Sequence, residues 1–270
     1  GLQSCRRNLP PSMQELKDTQ SEPDHRKIAI DRVGVRELRY PVEIEDKARQ
    51  VQGTVATVSM AVDLPHHYKG THMSRFVEVL NAHGPRLSVR EMSAIQGELL
   101  QRLDAERAHI VISFPFFLSK NAPATGSRGL MDYQVSFEVD ASRDELDFIV
   151  TVEVPVTTLC PCSKAISERG AHNQRGLVTY SVRFEEPIWI EDLVLLVESC
   201  ASSELYSLLK RPDEKAVTES AYDNPVFVED LVRNVAAKSN AQENILWYRV
   251  EAENFESIHN HNAYAIIEKA

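Results

Sequence analysis

Two thiols and an imidazole crowd the run TTLCPCSKAISERGAHNQRG between Thr157 and Gly176, with Cys160 and Cys162 on either side of Pro161 and His172 following. Thiolate sulfur and imidazole nitrogen are ligand types that a zinc-like ion prefers, and a site with fewer than four protein ligands keeps a position open for water. A metal that ionises such a water can drive hydrolysis at neutral pH. The structural alternative stands beside it, because cysteine is commonly a small buried hydrophobe. Cys160 and Cys162 make a poor disulfide, since an extended backbone points alternate side chains to opposite faces. Their spacing differs from C-x-x-C redox and zinc-knuckle motifs, and no H-x-E precedes it as a nucleobase deaminase would require.

Net charge is −10, with 43% hydrophobic and 26% charged residues in 270. That composition belongs to a soluble globular protein with room for one large domain or two small ones. An acidic chain lacks the basic stripe of a general nucleic-acid binder, although one small polyanion can still sit in a local basic pocket. No apolar run is long enough to span a bilayer, so no membrane partner is expected. The four cysteines, Cys5, Cys160, Cys162 and Cys200, form no disulfide framework, which points to the cytoplasm. Residues 1–28 are polar without an apolar signal core and read as a disordered leader, with Met13 a candidate natural start.

The elements that must position the cluster follow from periodicity. Residues Arg36 to Ile44 and Thr54 to Leu64 read as strands, the second presenting Ala56, Val58, Met60, Val62 and Leu64 on one face. Helices follow from about Ser74 to Gly84 and from Ser88, with Glu91 as its capping-box partner, to about Ala105. Strands recur at His109 to Phe117 and Tyr133 to Val139, giving the order β-β-α-α-β-β. The second half repeats it: strands Leu146 to Val156 and Leu177 to Phe184, a helix from Glu191 to Lys210 stopped by Pro212, a helix from Asn224-Pro225 to Lys238, then strands Ile245 to Glu251 and Ala263 to Ile267. The expectation is an α+β chain of two modules, 29–144 and 145–270, each an antiparallel four-stranded sheet with a helical pair.

The segments KGTHMSRF from Lys69, LCPCSK from Leu159, GAHNQRG from Gly170, LLKRPDEK from Leu208, NPVFVED from Asn224 and ENFESIHNH from Glu253 together resemble the prokaryotic type IB GTP cyclohydrolase family. The resemblance implies the tunnelling fold, with two β-β-α-α-β-β units per chain assembled into oligomeric barrels, as homotetramers with sites at subunit interfaces. It also implies the first step of folate synthesis, in which GTP and water give 7,8-dihydroneopterin triphosphate and formate after attack of an activated water at C8 of guanine.

Carried over by resemblance, the metal ligands fall on Cys160, His172, Glu214 and His259, with Glu256 and His261 as neighbouring competitors. One divalent metal per site is implied, and the mixed donor set accepts zinc, manganese or iron. Glu229 matches the acidic anchor for the guanine edge; as a residue alone, it is equally an acidic group in the solvated first turn of a helix. Lys69, His72 and Arg75 are the first candidates for the triphosphate, with Arg211 beside Lys210 in a second basic group. Cys160, His172 and Cys162 form the catalytic set, Cys162 as proton donor, substrate contact or redox partner. Three alternatives share these motifs or this composition: an archaeal-type cyclohydrolase giving a cyclic phosphate, a nitrile reductase of the same fold, and a non-catalytic metal- and purine-binding module.

Overall fold

The computed structural model describes residues 18–269. Strands β1 (Ile30–Asp46) and β2 (Gln50–Leu64) form a hairpin, followed by α1 (Met73–His83), the short β3 (Arg86–Leu87), α2 (Val89–Leu103), β4 (Arg107–Asn121) and β5 (Arg128–Ser142). The second half runs β6 (Leu146–Leu159), α3 (Pro161–Ile166), β7 (Asn173–Phe184), α4 (Ile190–Glu198), β8 (Ser203–Glu204), α5 (Arg211–Asp223), α6 (Val228–Asn240), β9 (Ile245–Asn254) and β10 (Ala263–Glu268). The first half thus keeps the expected β-β-α-α-β-β order of its long elements, while the second half keeps the four long strands but inserts α3 between β6 and β7 and places three helices, α4, α5 and α6, between β7 and β9.

The long strands do not form two separate sheets. One continuous sheet runs β10-β9-β7-β6-β5-β4-β2-β1-β3, with β8 paired to β6, and all its long strands are antiparallel. The halves join through β5 and β6, whose ladder extends from Gln134 opposite Glu153 to Ala141 opposite Leu146. Strict alternation makes this sheet two-faced. On β2 the predicted stripe Ala56, Val58, Met60, Val62 and Leu64 is buried, and it continues through Ile110, Ile112 and Phe114 on β4 to Val152 and Val154 on β6. Phe76, Val79 and Leu80 of α1, Met92 and Ile95 of α2, Leu193 and Val194 of α4, and Leu231 and Val235 of α6 join these strands in one core. Each such side chain contributes roughly 1.5–3 kcal/mol by leaving water.

The second helical layer departs from expectation. α4 stops at Glu198, because Ser199 Oγ and Cys200 Sγ turn back to donate to the Leu196 carbonyl, and the following residues pair with β6 instead. Pro212 does not end a helix but sits in the first turn of α5, where its missing N–H leaves no intrahelical bond unmade. Asn224 then closes α5, and α6 starts at Val228, beyond Pro225. Asp213 fixes the start of α5 against the β4–β5 turn. Its carboxylate accepts from Ala124 N at 2.9 Å, Thr125 N at 2.7 Å, Thr125 Oγ1 at 2.7 Å and Lys210 N at 2.9 Å. Burial pushes its pKa upward, but these donors outweigh burial and hold it at about 2.

A buried polar network ties the two halves together. Lys120 of β4 reaches Glu198 Oε1 at 2.7 Å and Glu204 Oε2 at 2.6 Å, while the Tyr133 hydroxyl of β5 donates to Glu198 Oε1 at 2.6 Å. Burial pushes the Glu198 carboxyl pKa up, against the opposing pull of Lys120 and Tyr133. Glu198 Oε2 is buried and has no hydrogen-bond partner among the described residues, so the carboxylate leans on Lys120 and Tyr133 at its other oxygen.

Part of the expected leader is structured. Gly70 N donates to Gln20 O, Lys69 N to Glu22 O and Asp24 N to His67 O, so residues 20–24 lie along the turn before α1. Residues 1–17, Met13 and Cys5 among them, lie outside the described residues. No described helix is long and apolar enough to cross a membrane.

Candidate active site

The cleft is assembled where β6 leaves the sheet. Leu159 N donates to Ser202 Oγ at 3.0 Å, and Val226 N donates to Leu159 O at 3.0 Å, so the strand end is pinned from both sides. Cys160 then caps α3, its sulfur accepting from Ser163 N, and Pro161 supplies the preset first-turn geometry. Gly170, at φ 71°, lets the chain reverse into β7. The reversal sets Cys160 beside His172: Cys160 N donates to His172 O at 3.0 Å, and His172 N donates to Ser163 Oγ at 3.2 Å.

Two further elements close the cleft. β9 pairs with β7 up to Asn254 opposite Gly176, and Phe255 N extends the ladder to Arg175 O at 2.9 Å. The loop beyond carries Glu256, His259 and His261, the two imidazoles stacked with centroids 5.0 Å apart. From the other side, the start of α6 contributes Phe227, Val228 and Glu229. Together with Cys160, His172 and Gln174 these groups line a cleft of about 260 Å³. A Cβ on Gly176 would come within 2.9 Å of Asn254 Oδ1 and 3.3 Å of Val156 Cγ2, so the three strands approach there as closely as glycine allows. Asn254 Oδ1 is itself buried and without a hydrogen-bond partner among the described residues.

Cys160, His172, His259 and Glu229 are therefore brought together, with the competitors Glu256 and His261. Cys162 is exposed on α3. The remaining sequence candidates are not on this cleft. Glu214 and Arg211 are exposed in the first turn of α5. Lys69 pairs with Glu22 at 2.9 Å, His72 lies 3.2 Å from Asp18, and Arg75 donates to Arg102 O at 3.0 Å. Lys164, one of the basic residues flanking the thiols, lies over the Tyr222 ring and donates to the Tyr222 carbonyl. Gln174 and Asn254 had not been singled out from sequence. Gln174 lies in β7, two residues beyond His172, which stands just before the strand.

One thiol, two or three imidazoles and two carboxylates around one small opening form a donor set that fits a single divalent ion with a position left for substrate. The full carried-over set does not converge within one protomer. Among the described residues, the group of three metal-type side chains whose ligand atoms lie within 4.8 Å of one another is His109, Glu138 and Asp140 on β4 and β5. There His109 Nδ1 is 2.9 Å from Asp140 Oδ1, which also accepts from Arg32 at 3.1 Å, so the grouping already forms a cross-strand ion-pair network.

Residues 16–265 match the family described as type I GTP cyclohydrolase FolE2. The chain belongs to that family. It is 68% identical over 260 residues to GTP cyclohydrolase FolE2 of Akkermansia muciniphila, covering 95% of this chain and 98% of that protein. The FolE2 proteins of Methylobacillus flagellatus and Syntrophus aciditrophicus are 54% and 55% identical over 96% and 93% of this chain, and 97% and 99% of theirs. Among solved structures, the FolE2-family chain resembles uricase from Arthrobacter globiformis, with TM-score 0.52, 11% identity, and 88% and 92% of the two chains covered. Urate oxidase from Bacillus sp. TB-90 gives TM-score 0.52 at 7% identity, covering 89% and 99%. At such identities the likeness is one of fold, and it is the tunnelling fold. The FolE2 family implies a metal, for which the thiol and imidazoles of the cleft are the fitting donors.

Proposed function

We propose that this chain is a metal-dependent GTP cyclohydrolase that converts GTP and one water into 7,8-dihydroneopterin triphosphate and formate, in the cytoplasm, as the first reaction of folate synthesis. The observation that carries this reading is the convergence of Cys160, His172, His259 and Glu229 on one cleft in a chain whose residues 16–265 match the FolE2 family. Cys160, His172 and His259 would hold the ion, with Glu214 of a neighbouring copy completing the set, and zinc, manganese or iron would satisfy such mixed donors. When bound, the ion supplies Lewis acidity that brings the pKa of water near neutrality. Glu229 accepts the ring N–H and exocyclic amine of guanine together, and thereby aims C8 across the cleft. Phe227 and Val228 beside it supply an apolar wall that keeps the base from competing water. Cys162, two residues beyond Cys160 and exposed, is the nearby second thiol for a proton donation, a substrate contact or a redox pairing with Cys160.

The groups missing from the cleft come, in this reading, from neighbouring protomers of a homotetramer. Glu214, Arg211, Lys69, His72 and Arg75 are at or near the surface, and the cleft is rimmed by exposed apolar side chains, Phe255 at 43% and Ile258 at 64%, of the kind that a second copy covers. Incubation of metal-loaded protein with GTP tests the reaction. Formate and a fluorescent oxidised pterin retaining three phosphates are expected; a cyclic phosphate product would assign the archaeal-type reaction, and intact GTP would leave a binding module.

Two predictions probe the pocket. Glu229→Gln keeps the shape but turns one acceptor into a donor, so affinity for both GTP and guanosine should fall by about 2–3 kcal/mol, roughly 30- to 150-fold. Lys69→Ala and Arg75→Ala should weaken GTP far more than guanosine, and binding titrations with both ligands separate the two ends of the pocket. Equal losses for both ligands in the basic variants would remove them from the phosphate end. Sharing between protomers predicts complementation. Chains carrying His172→Ala, co-assembled with chains carrying Arg75→Ala, should recover turnover that neither homo-oligomer shows, whereas pockets built within one protomer would recover none.

A further inference from the structure

The imidazole of His172 is held by a partner that the expected ligand set does not include. Its Nδ1 lies 3.1 Å from Gln174 Oε1, and the other end of the same carboxamide, Nε2, donates to Thr158 Oγ1 at 2.8 Å. Thr158 and Gln174 face each other across the β6–β7 ladder, and both side chains are buried, at 0% and 8% exposure. The amide is therefore clamped between a fixed hydroxyl and the ring. His172 is also fixed through its backbone, by Cys160 N and Ser163 Oγ. What the amide selects is which ring nitrogen carries the proton.

We propose that Gln174 is a positioning residue, which holds His172 with its proton on Nδ1 and so presents the Nε2 lone pair to the cleft. A carbonyl oxygen at Nδ1 needs an N–H opposite it, and a neutral ring protonated at Nδ1 has its other nitrogen free to coordinate. In this arrangement Thr158 Oγ1 accepts from Nε2, which places Oε1 as the atom facing the ring. The choice of an amide matters. It fixes the tautomer without adding a negative charge beside a ligand that must be neutral to bind metal. The inference rests on the metal reading of the cleft only for its consequence, because the tautomer itself exists in the metal-free protein.

The test has two independent readouts. In chelator-treated protein labelled with ¹⁵N-histidine, and with His172→Ala used to assign its signals, His172 should show a pyrrole-type Nδ1 and a pyridine-type Nε2. Gln174→Glu, which keeps an acceptor oxygen in the same place, should retain the Nδ1 proton when the ring is neutral, while its added charge shifts that neutral form to higher pH. Gln174→Met, with no acceptor, should lose the tautomer preference and bind zinc about 10- to 100-fold more weakly by competition with a chromogenic chelator. Thr158→Val frees the amide without touching the ring, and should shift the tautomer in the same direction as Gln174→Met; it serves if the methionine variant does not fold. A proton found on Nε2 in the parent chain, or a folded Gln174→Met with unchanged tautomer and zinc affinity, would overturn the proposal. Absence of zinc binding in the parent chain, with Nδ1 protonated, would instead strike the metal reading and leave the positioning role standing.

Discussion

Cys160→Ala, His172→Ala and His259→Ala should each abolish detectable GTP turnover and strip the protein of bound divalent metal while leaving it folded. Loss of a mere outer partner of a metal ligand commonly costs 10- to 100-fold, so loss of a ligand should cost at least about 100-fold, and more where the remaining donors no longer retain the ion. Folding should survive, because the three side chains stand on a half-buried or exposed rim and none belongs to the core. Metal analysis, circular dichroism and product formation measured on the same preparations decide the matter. Chelator-stripped parent protein should lose turnover and regain it with zinc, manganese or iron. Full metal occupancy and normal turnover in all three variants, or turnover that survives exhaustive chelation, would defeat this assignment of the cleft.

Lys120→Met should destabilise the fold by about 3–5 kcal/mol at neutral pH, the size expected when one partner of a buried ion pair is removed and the other is left without a counter-charge. Lys120 side-chain exposure is 10% and that of Glu198 is 4%, so little water replaces the lost ammonium. The sign of the pH dependence follows. Burial already pushes the Glu198 carboxyl up, and Lys120 is the main group opposing that push. Without it the folded pKa of Glu198 lies still further above that of the unfolded chain. Stability of the variant is then greatest below the ordinary carboxylate range and falls as pH rises through the elevated folded pKa. Urea melts from pH 4 to 8 should show the deficit against the parent growing with pH. A deficit that is flat across this range would mean that Glu198 is not the group left uncompensated.

The fold and the cleft were legible in the sequence to different depths. Period-two alternation located every long strand, and the β2 stripe from Ala56 to Leu64 is buried as read. What alternation does not carry is which strands meet, so the joining of two sheets through β5 and β6 emerged only in three dimensions. The region after Glu198 misled for a physical reason: Leu, Glu and Ser from 195 to 210 keep a helix-compatible pattern, while the hydroxyls there bond their own backbone and β6 offers open pairing groups. Pro212 fits a helix stop in sequence and equally a helix start, which is where it stands. In the cleft, Cys160 and His172 announced themselves by type and spacing. Glu229 and His259 depended on the resemblance, since a glutamate in a first helical turn and a loop histidine are common everywhere. Gln174 is chemically bland, and only the distance to His172 Nδ1 distinguishes it.

The uninterrupted sheet has a consequence for cooperativity. A ladder from Gln134 to Ala141 and a buried lysine reaching from β4 to Glu198 leave no plane along which the two halves can part without exposing paired backbone and a charge. The repeat visible in the order of elements thus shares one sheet and one core across its seam. Opening one half would strip the neighbouring strand of half its ladder, so unfolding followed by different probes should give coincident transitions. Cys160 and His172 sit at the ends of β6 and β7, the strand on this seam and its immediate neighbour. They inherit the rigidity of the entire chain, although only a short stretch of sequence touches them.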